Sequence, residues 1–387
     1  MAARMSIIKR VSWFTVLVLI VAGGYCAYRY HGARTWRGER ERAVLLQEEG
    51  RFLEAADAYL AARRHAPSEE QGLEVLSLAC TCLDAGGRSD RAATWWKSIL
   101  SDPSARRYYP RALLALARLA LAENRAAEAR AHLDRLFAEN PDSSLLGDAY
   151  CARAELLRTV GDSRAAWEAA RKVVEEYPRC PSAGRARQIA GEMYMKLLFS
   201  EHLIPGTEEY VVRPGDSLES IAKKYGTTVD LIREMNRQRL RGDAIQSGRR
   251  LKVCTETFSL LVDKSDNTLS LKAGERVLKV YPVGTGKGGS TPVGEFKIIN
   301  KMEKPEWFKP GGGVIPYREP EGPGDVPENL LGTRWMGIDS PGYGIHGTWE
   351  PETVGKQASA GCIRLLNEDV EELYTLIPVG TRLSIVE

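Results

Sequence analysis

One histidine and one cysteine set the chemistry of the C-terminal part of the chain. His346 is the only histidine after His202 and Cys362 the only cysteine after Cys254, and both fall in YGIHGTWEPETVGKQASAGCIRL, residues 343–365. Cysteine is the nucleophile that needs least help, because its thiolate forms near neutral pH beside an imidazolium. His346 is the candidate base for the thiol proton. Gly361 removes the side chain next to Cys362, so the N–H groups of Gly361 and Cys362 are candidate donors to a developing oxyanion. A thiolate–imidazolium pair would raise the imidazole pKa, lower that of the thiol, and titrate as a unit in one bell-shaped profile.

The letters around the pair form a pattern: TPVGEF at 291–296, LLGTRWMGI at 330–338, HGT at 346–348 and SAGCIRL at 359–365. Over residues 258–387 the chain strongly resembles the YkuD-type L,D-transpeptidases. The resemblance implies a mainly β, sandwich-like catalytic domain with Cys362 as nucleophile, His346 as general base and the Gly347 carbonyl orienting the imidazole. It places Gly361 in the oxyanion hole and Ser359, Arg364, Trp335 and Thr348 around the substrate, while Thr291, Pro292 and Gly294 belong to a turn of the fold. It implies acyl transfer on peptidoglycan stem peptides. Cys362 expels a terminal D-alanine to give a thioester, and an amine of a neighbouring stem resolves it into a cross-link, without metal or organic cofactor. Water as acceptor would make an L,D-carboxypeptidase, and a lipoprotein amine would attach that lipoprotein to the wall. A vestigial catalytic domain would leave a wall-binding scaffold. Many relatives carry histidine where this chain has Ala360, so a second imidazole is excluded here.

Other chemistries find little footing. GTGKGGS, residues 284–290, lacks the spacing and the following helix of a phosphate-binding loop and reads as a glycine-rich turn between strands. The chain has 54 basic and 51 acidic residues, with arginines dispersed, so composition makes no case for nucleic acid. The seven cysteines contain no C-x-x-C pair, which argues against a structural zinc site. Those in the helical region read as small buried apolar residues.

The elements that must position this site are multidomain and α+β. Residues 255–387 carry short β-like runs. Among them, the proline- and glycine-rich segment 303–330, with Trp307, Phe308 and Tyr317, reads as a lid over a cleft or an ordinary surface excursion. Residues 205–254 read as a strand, two helices and a strand. Tyr210, Val212, Gly215, Asp216, Leu218, Ile221, Ala222, Tyr225, Asn236, Ile245, Gly248 and Leu251 resemble a LysM module, implying a glycan partner in peptidoglycan, with RQRLRGD after Asn236 as a departure. Residues 33–204 read as an α-helical array. Gly50, Gly87, Asn124 and Gly161 recur every 37 residues, an alanine follows each by five, and Pro67, Pro103, Pro141 and Pro178 close the units. These units resemble tetratricopeptide-like repeats, which implies a cell-envelope protein partner, with a spacer as the alternative.

Residues 1–32 hold Arg4, Lys9 and Arg10 and then the apolar run 11–28, near the roughly 20 residues of a membrane-spanning helix. The expectation is a single-pass inner-membrane anchor with the later domains in the periplasm, and a cleaved signal peptide is the alternative.

Overall fold

The computed structural model describes the chain except for residues 1, 241, 243, 310, 323 and 324, together with the side chains of 2–16, 23 and 25–29. It divides into two compact units, residues 1–160 and 161–387.

The first unit is helical: α1 (Ala2–Glu48), α2 (Phe52–Arg63), α3 (Glu69–Ala85), α4 (Ser89–Leu100), α5 (Tyr109–Ala122), α6 (Ala126–Glu139) and α7 (Leu146–Thr159). Reversing the chain within two or three residues needs a left-handed backbone, and the repeated turn residues supply it. Gly50, Gly87 and Asn124 have φ of 74°, 75° and 58°. Five residues on, Ala55, Ala92 and Ala129 are fully buried, so the paired helices approach closely. Ser68 caps α3 by accepting from the Gln71 N–H, and Trp96 of α4 is joined to α3 by donating to Asp84 at 2.9 Å.

The membrane anchor expected at 11–28 lies largely on side chains outside the described residues. No helix among the described residues is long and apolar enough to cross a membrane. Its described apolar run, Leu17, Val18, Leu19, Ile20 and Val21, is exposed on α1.

The second unit opens with α8 (Ser163–Glu176) and α9 (Ala183–Leu198), so the helical region expected as one array is shared between the two units. The repeat signature persists there, with Gly161 at φ 85° and Ala166 fully buried. Next come β1 (Thr207–Val211), α10 (Leu218–Tyr225), α11 (Val229–Met235) and β2 (Arg250–Cys254), with β1 and β2 antiparallel. Tyr210, Leu218, Ile221, Ile232, Leu251 and Val253 form the core of this module. Asn236, fully buried, ties α11 to β2: its amide donates to the Ile232 and Lys252 carbonyls and accepts from the Lys252 N–H. Lys252, also buried, sends its ammonium to the carbonyls of Leu197, Leu198 and Ser200, each at 2.9 Å, and so caps α9 from the neighbouring module.

The remaining chain supplies β3 (Phe258–Asp263), β4 (Thr268–Ala273), β5 (Arg276–Pro282), β6 (Thr285–Gly286), β7 (Gly294–Glu303), β8 (Trp307–Phe308), β9 (Val314–Ile315), β10 (Arg334–Ile338), β11 (Gly344–His346), β12 (Gln357–Ser359), β13 (Ile363–Arg364), α12 (Asn367–Leu376) and β14 (Arg382–Val386). Eight strands join in the order β13-β11-β10-β7-β14-β3-β4-β5. Hydrogen bonding in the domain expected as sandwich-like runs continuously through all eight strands. The reason is the length of β7: Gly294–Lys297 pairs with β14, and Ile298–Glu303 pairs with β10. At the opposite edge α9 lies on β5, where a Cβ on Gly191 would stand 3.1 Å from the Leu278 carbonyl. Thr228, the N-cap of α11, donates to the Thr375 carbonyl of α12, which ties the LysM-like module to the sheet domain.

Candidate active site

Strand pairing brings the two reactive residues together. β11 and β13 run parallel, with Ile345 opposite Ile363 and His346 opposite Arg364, so Cys362 arrives beside Gly344 at the end of β11. The pairing of β10 with β11 sets Trp335 opposite His346, and their rings lie 6.0 Å apart at 20°. Gly344 is required there, since a Cβ would come within 2.7 Å of the Trp335 ring. Trp335 is held in turn by Asn300, whose Oδ1 accepts from the indole N–H at 3.1 Å and from the Gly337 N–H at 3.2 Å.

His346 is buried, 3% exposed, and its Nδ1 lies 2.6 Å from the Gly347 carbonyl oxygen. A carbonyl only accepts, so Nδ1 carries the hydrogen and Nε2 keeps its lone pair. Gly347 is sterically fixed, because a Cβ there would meet Asn367 Oδ1 at 2.1 Å. Burial pushes the imidazole pKa down to about 4, with the Gly347 bond opposing and the Arg364 charge adding to the shift. The half-buried Cys362 thiol is pushed up by burial, against the opposing effects of the Gly344 N–H and Arg364. Its sulfur also lies 3.6 Å from the Gly342 carbonyl. The resting site is therefore a neutral thiol and a neutral imidazole. Both shifts run toward the neutral forms and against the thiolate–imidazolium pair expected from the sequence, with burial as the largest cause of each.

The loop before the cysteine is tightly braced. Gly361 has φ 139°, and a Cβ on it would stand 2.6 Å from Tyr343. Its N–H donates to Ser359 Oγ at 3.0 Å, while Ser359 Oγ donates to the Cys362 carbonyl at 2.7 Å. This corrects two expectations. The Gly361 N–H is committed inward and is not open to an oxyanion, and the Ser359 hydroxyl spends its bonds on the loop. Thr291 donates to the Gly361 carbonyl and accepts from the Gly286 N–H, both at 2.8 Å. The TPVG turn and the GTGKGGS turn thus support the backbone of the nucleophile. Arg364 pairs with Glu350 at 3.1 Å, and its Nε is buried without a hydrogen-bond partner. Thr348 departs from its expected substrate role. It is 5% exposed, does not line the cavity, and accepts the Glu350 N–H at 3.0 Å in a local turn.

His346 and Cys362 line one cavity of about 600 Å³, shared with Trp335, Tyr343, Ser359 and Arg364. Its far wall is Trp307 and Phe308 of β8, which pairs with β9 in a short hairpin, together with Leu330 and Leu331. Tyr317, expected with them, instead lies against Trp349, with ring centroids 6.3 Å apart and planes tilted by 48°. Asn300 and the bracing role of Thr291 are not visible in the sequence, since each acts on a residue distant in the chain. The glycine before I-H is the one local sign of a close approach.

The chain is similar to known proteins in two of its parts. The family model described as L,D-transpeptidase catalytic domain matches residues 257–385, and the LysM domain model matches 210–253. A putative L,D-transpeptidase YkuD of Bacillus licheniformis is 35% identical over 183 residues, 46% of this chain and 97% of that protein. A putative L,D-transpeptidase YqjB of Bacillus subtilis is 42% identical over 134 residues, 33% of this chain and 70% of that protein. A solved L,D-transpeptidase of Mycobacterium smegmatis covers 36% of this chain and 64% of its own at 18% identity, with a TM-score of 0.28, a likeness too weak to add to the assignment. Matched over nearly the whole length of one relative at 35% identity, the chain belongs to the L,D-transpeptidase family.

Proposed function

We propose that this protein is a peptidoglycan L,D-transpeptidase in which Cys362 and His346 carry out the acyl transfer. The observation that carries the reading is the single cavity holding a cysteine thiol and an imidazole whose Nδ1 is tied to the Gly347 carbonyl. Because both groups start neutral, attack and proton transfer are coupled. Sulfur bonds to the carbonyl carbon of the third stem residue as the thiol proton passes to His346 Nε2. The negative charge on the former carbonyl oxygen faces the N–H of Cys362, the donor left by the inward bond of Gly361. Collapse breaks the C–N bond, and Nε2 returns its proton to the departing D-alanine nitrogen. The Gly347 carbonyl stabilises the imidazolium between these steps.

The second step is transfer to an amine of a neighbouring stem. The LysM domain contributes glycan binding, and its bonds to α9 and α12 hold it against the catalytic domain. The helical repeats, which recur every 37 residues, offer a surface for a cell-envelope partner. Anchoring of the chain in the inner membrane, with these domains in the periplasm, is supported by the apolar run 11–28 and the exposed Leu17–Val21 on α1. The test is intact-protein mass spectrometry after exposure to a carbapenem, with product analysis from disaccharide tetrapeptides. A carbapenem adduct on Cys362 and a cross-linked product are expected. An unlabelled protein, beside a control enzyme that labels, would overturn the enzyme reading. Tripeptide alone would make it a carboxypeptidase.

A further inference from the structure

The cavity contains a charge that acylation does not use. Glu306, next to β8, lines it together with the apolar wall of Trp307, Phe308 and Leu330. The other charged side chains of the lining are already matched: Lys309 pairs with Glu328 at 2.6 Å, and Arg364 with Glu350 at 3.1 Å. His346 is buried, with Nδ1 committed to the Gly347 carbonyl. Among the described residues Glu306 has neither an ion-pair nor a hydrogen-bond partner, and its side chain is exposed to the cavity mouth. One uncompensated carboxylate on an otherwise apolar and charge-matched wall favours a cation with a hydrocarbon stem.

We propose that Glu306 is the recognition residue for the acyl acceptor, drawing the ammonium-bearing side chain of a diamino acid to the thioester and so favouring amine over water. This rests on the transpeptidase reading, and concerns its second step only. The ammonium arrives beside Glu306 and releases one proton to solvent. The nitrogen lone pair then forms the C–N bond at the thioester carbonyl, the C–S bond breaks, and sulfur leaves with the bonding pair. The surplus proton on nitrogen passes through His346 Nε2 to the sulfur, which restores the neutral thiol and leaves an amide.

The experiment uses the full chain with a disaccharide tetrapeptide as donor and two small acceptors, D-alaninamide, a cation, and D-alanine, whose carboxylate offsets its ammonium. The ratio of their apparent KM values is compared across variants, which cancels their different basicities. Glu306→Gln should raise KM for D-alaninamide about fivefold, the size of an exposed ionic contact, with little change for D-alanine. It should also yield more hydrolysed tripeptide. Glu306→Asp should keep the wild-type preference, and Glu306→Lys should reverse it. An unchanged KM ratio in Glu306→Gln and Glu306→Lys would overturn the proposal, as would an equal loss with both acceptors, which marks a merely structural role. A wild-type protein that forms no thioester would instead overturn the transpeptidase reading beneath it.

Discussion

Burial of the catalytic pair makes a sharp statement about pH. An imidazole at its ordinary pKa of about 6.5 is roughly nine-tenths protonated near pH 5.5, and a base in that state works at about a tenth of its full rate. His346 is instead held down to about 4 by desolvation, so near pH 5.5 it remains almost wholly the free base. The sign follows: protonation removes the base, so lowering its pKa extends activity toward acid. The thiol is pushed up, so no thiolate accumulates on the neutral plateau. Acylation by a carbapenem, followed by intact mass and corrected for carbapenem decay, should be flat from about pH 5.5 to 8 and fall only as pH approaches about 4. Replacing His346 with alanine should cost about a hundredfold or more on that plateau. A wild-type rate near pH 5.5 that is about a tenth of the rate at pH 8 would show an ordinary or raised imidazole pKa and refute the neutral pair. Near-normal labelling of His346→Ala would refute the assignment of the base.

Two further outcomes follow from the supports of the site. Asn300→Ala removes the acceptor for both Trp335 Nε1 and the Gly337 N–H, so carbapenem acylation should slow several-fold while the pH profile keeps its shape; Asn300→Asp, which retains the acceptor, should restore most of the rate. Lys252→Met leaves three carbonyls at the end of α9 without their donor, and chemical denaturation should register a loss of about 3 kcal/mol, whereas Lys223→Met on the exposed face of α10 should cost little.

Local chemistry made much of this protein legible from its letters. The turns at Gly50, Gly87, Asn124 and Gly161 need a left-handed backbone, and the alanines after them need close helix contact. Both requirements are local, so they recur in the sequence at a fixed interval and reappear in the dihedrals and burial. The LysM-like module and the His346–Cys362 pair were readable for a similar reason, since glycine turns and a short motif carry their signals within a few residues. What the letters could not decide depends on distant strands and on solvent. Continuity of the sheet turned on how β7 divides its pairing between β14 and β10. The inward bond of the Gly361 N–H depends on how Ser359 folds back, and the support of Trp335 depends on Asn300 from another strand. The direction of the two pKa shifts was not legible from sequence, because attraction between two groups is implied by their identities, whereas desolvation is set by everything packed around them. Burial is a property of the assembled fold, and here it pushes the imidazole down and the thiol up, both toward their neutral forms.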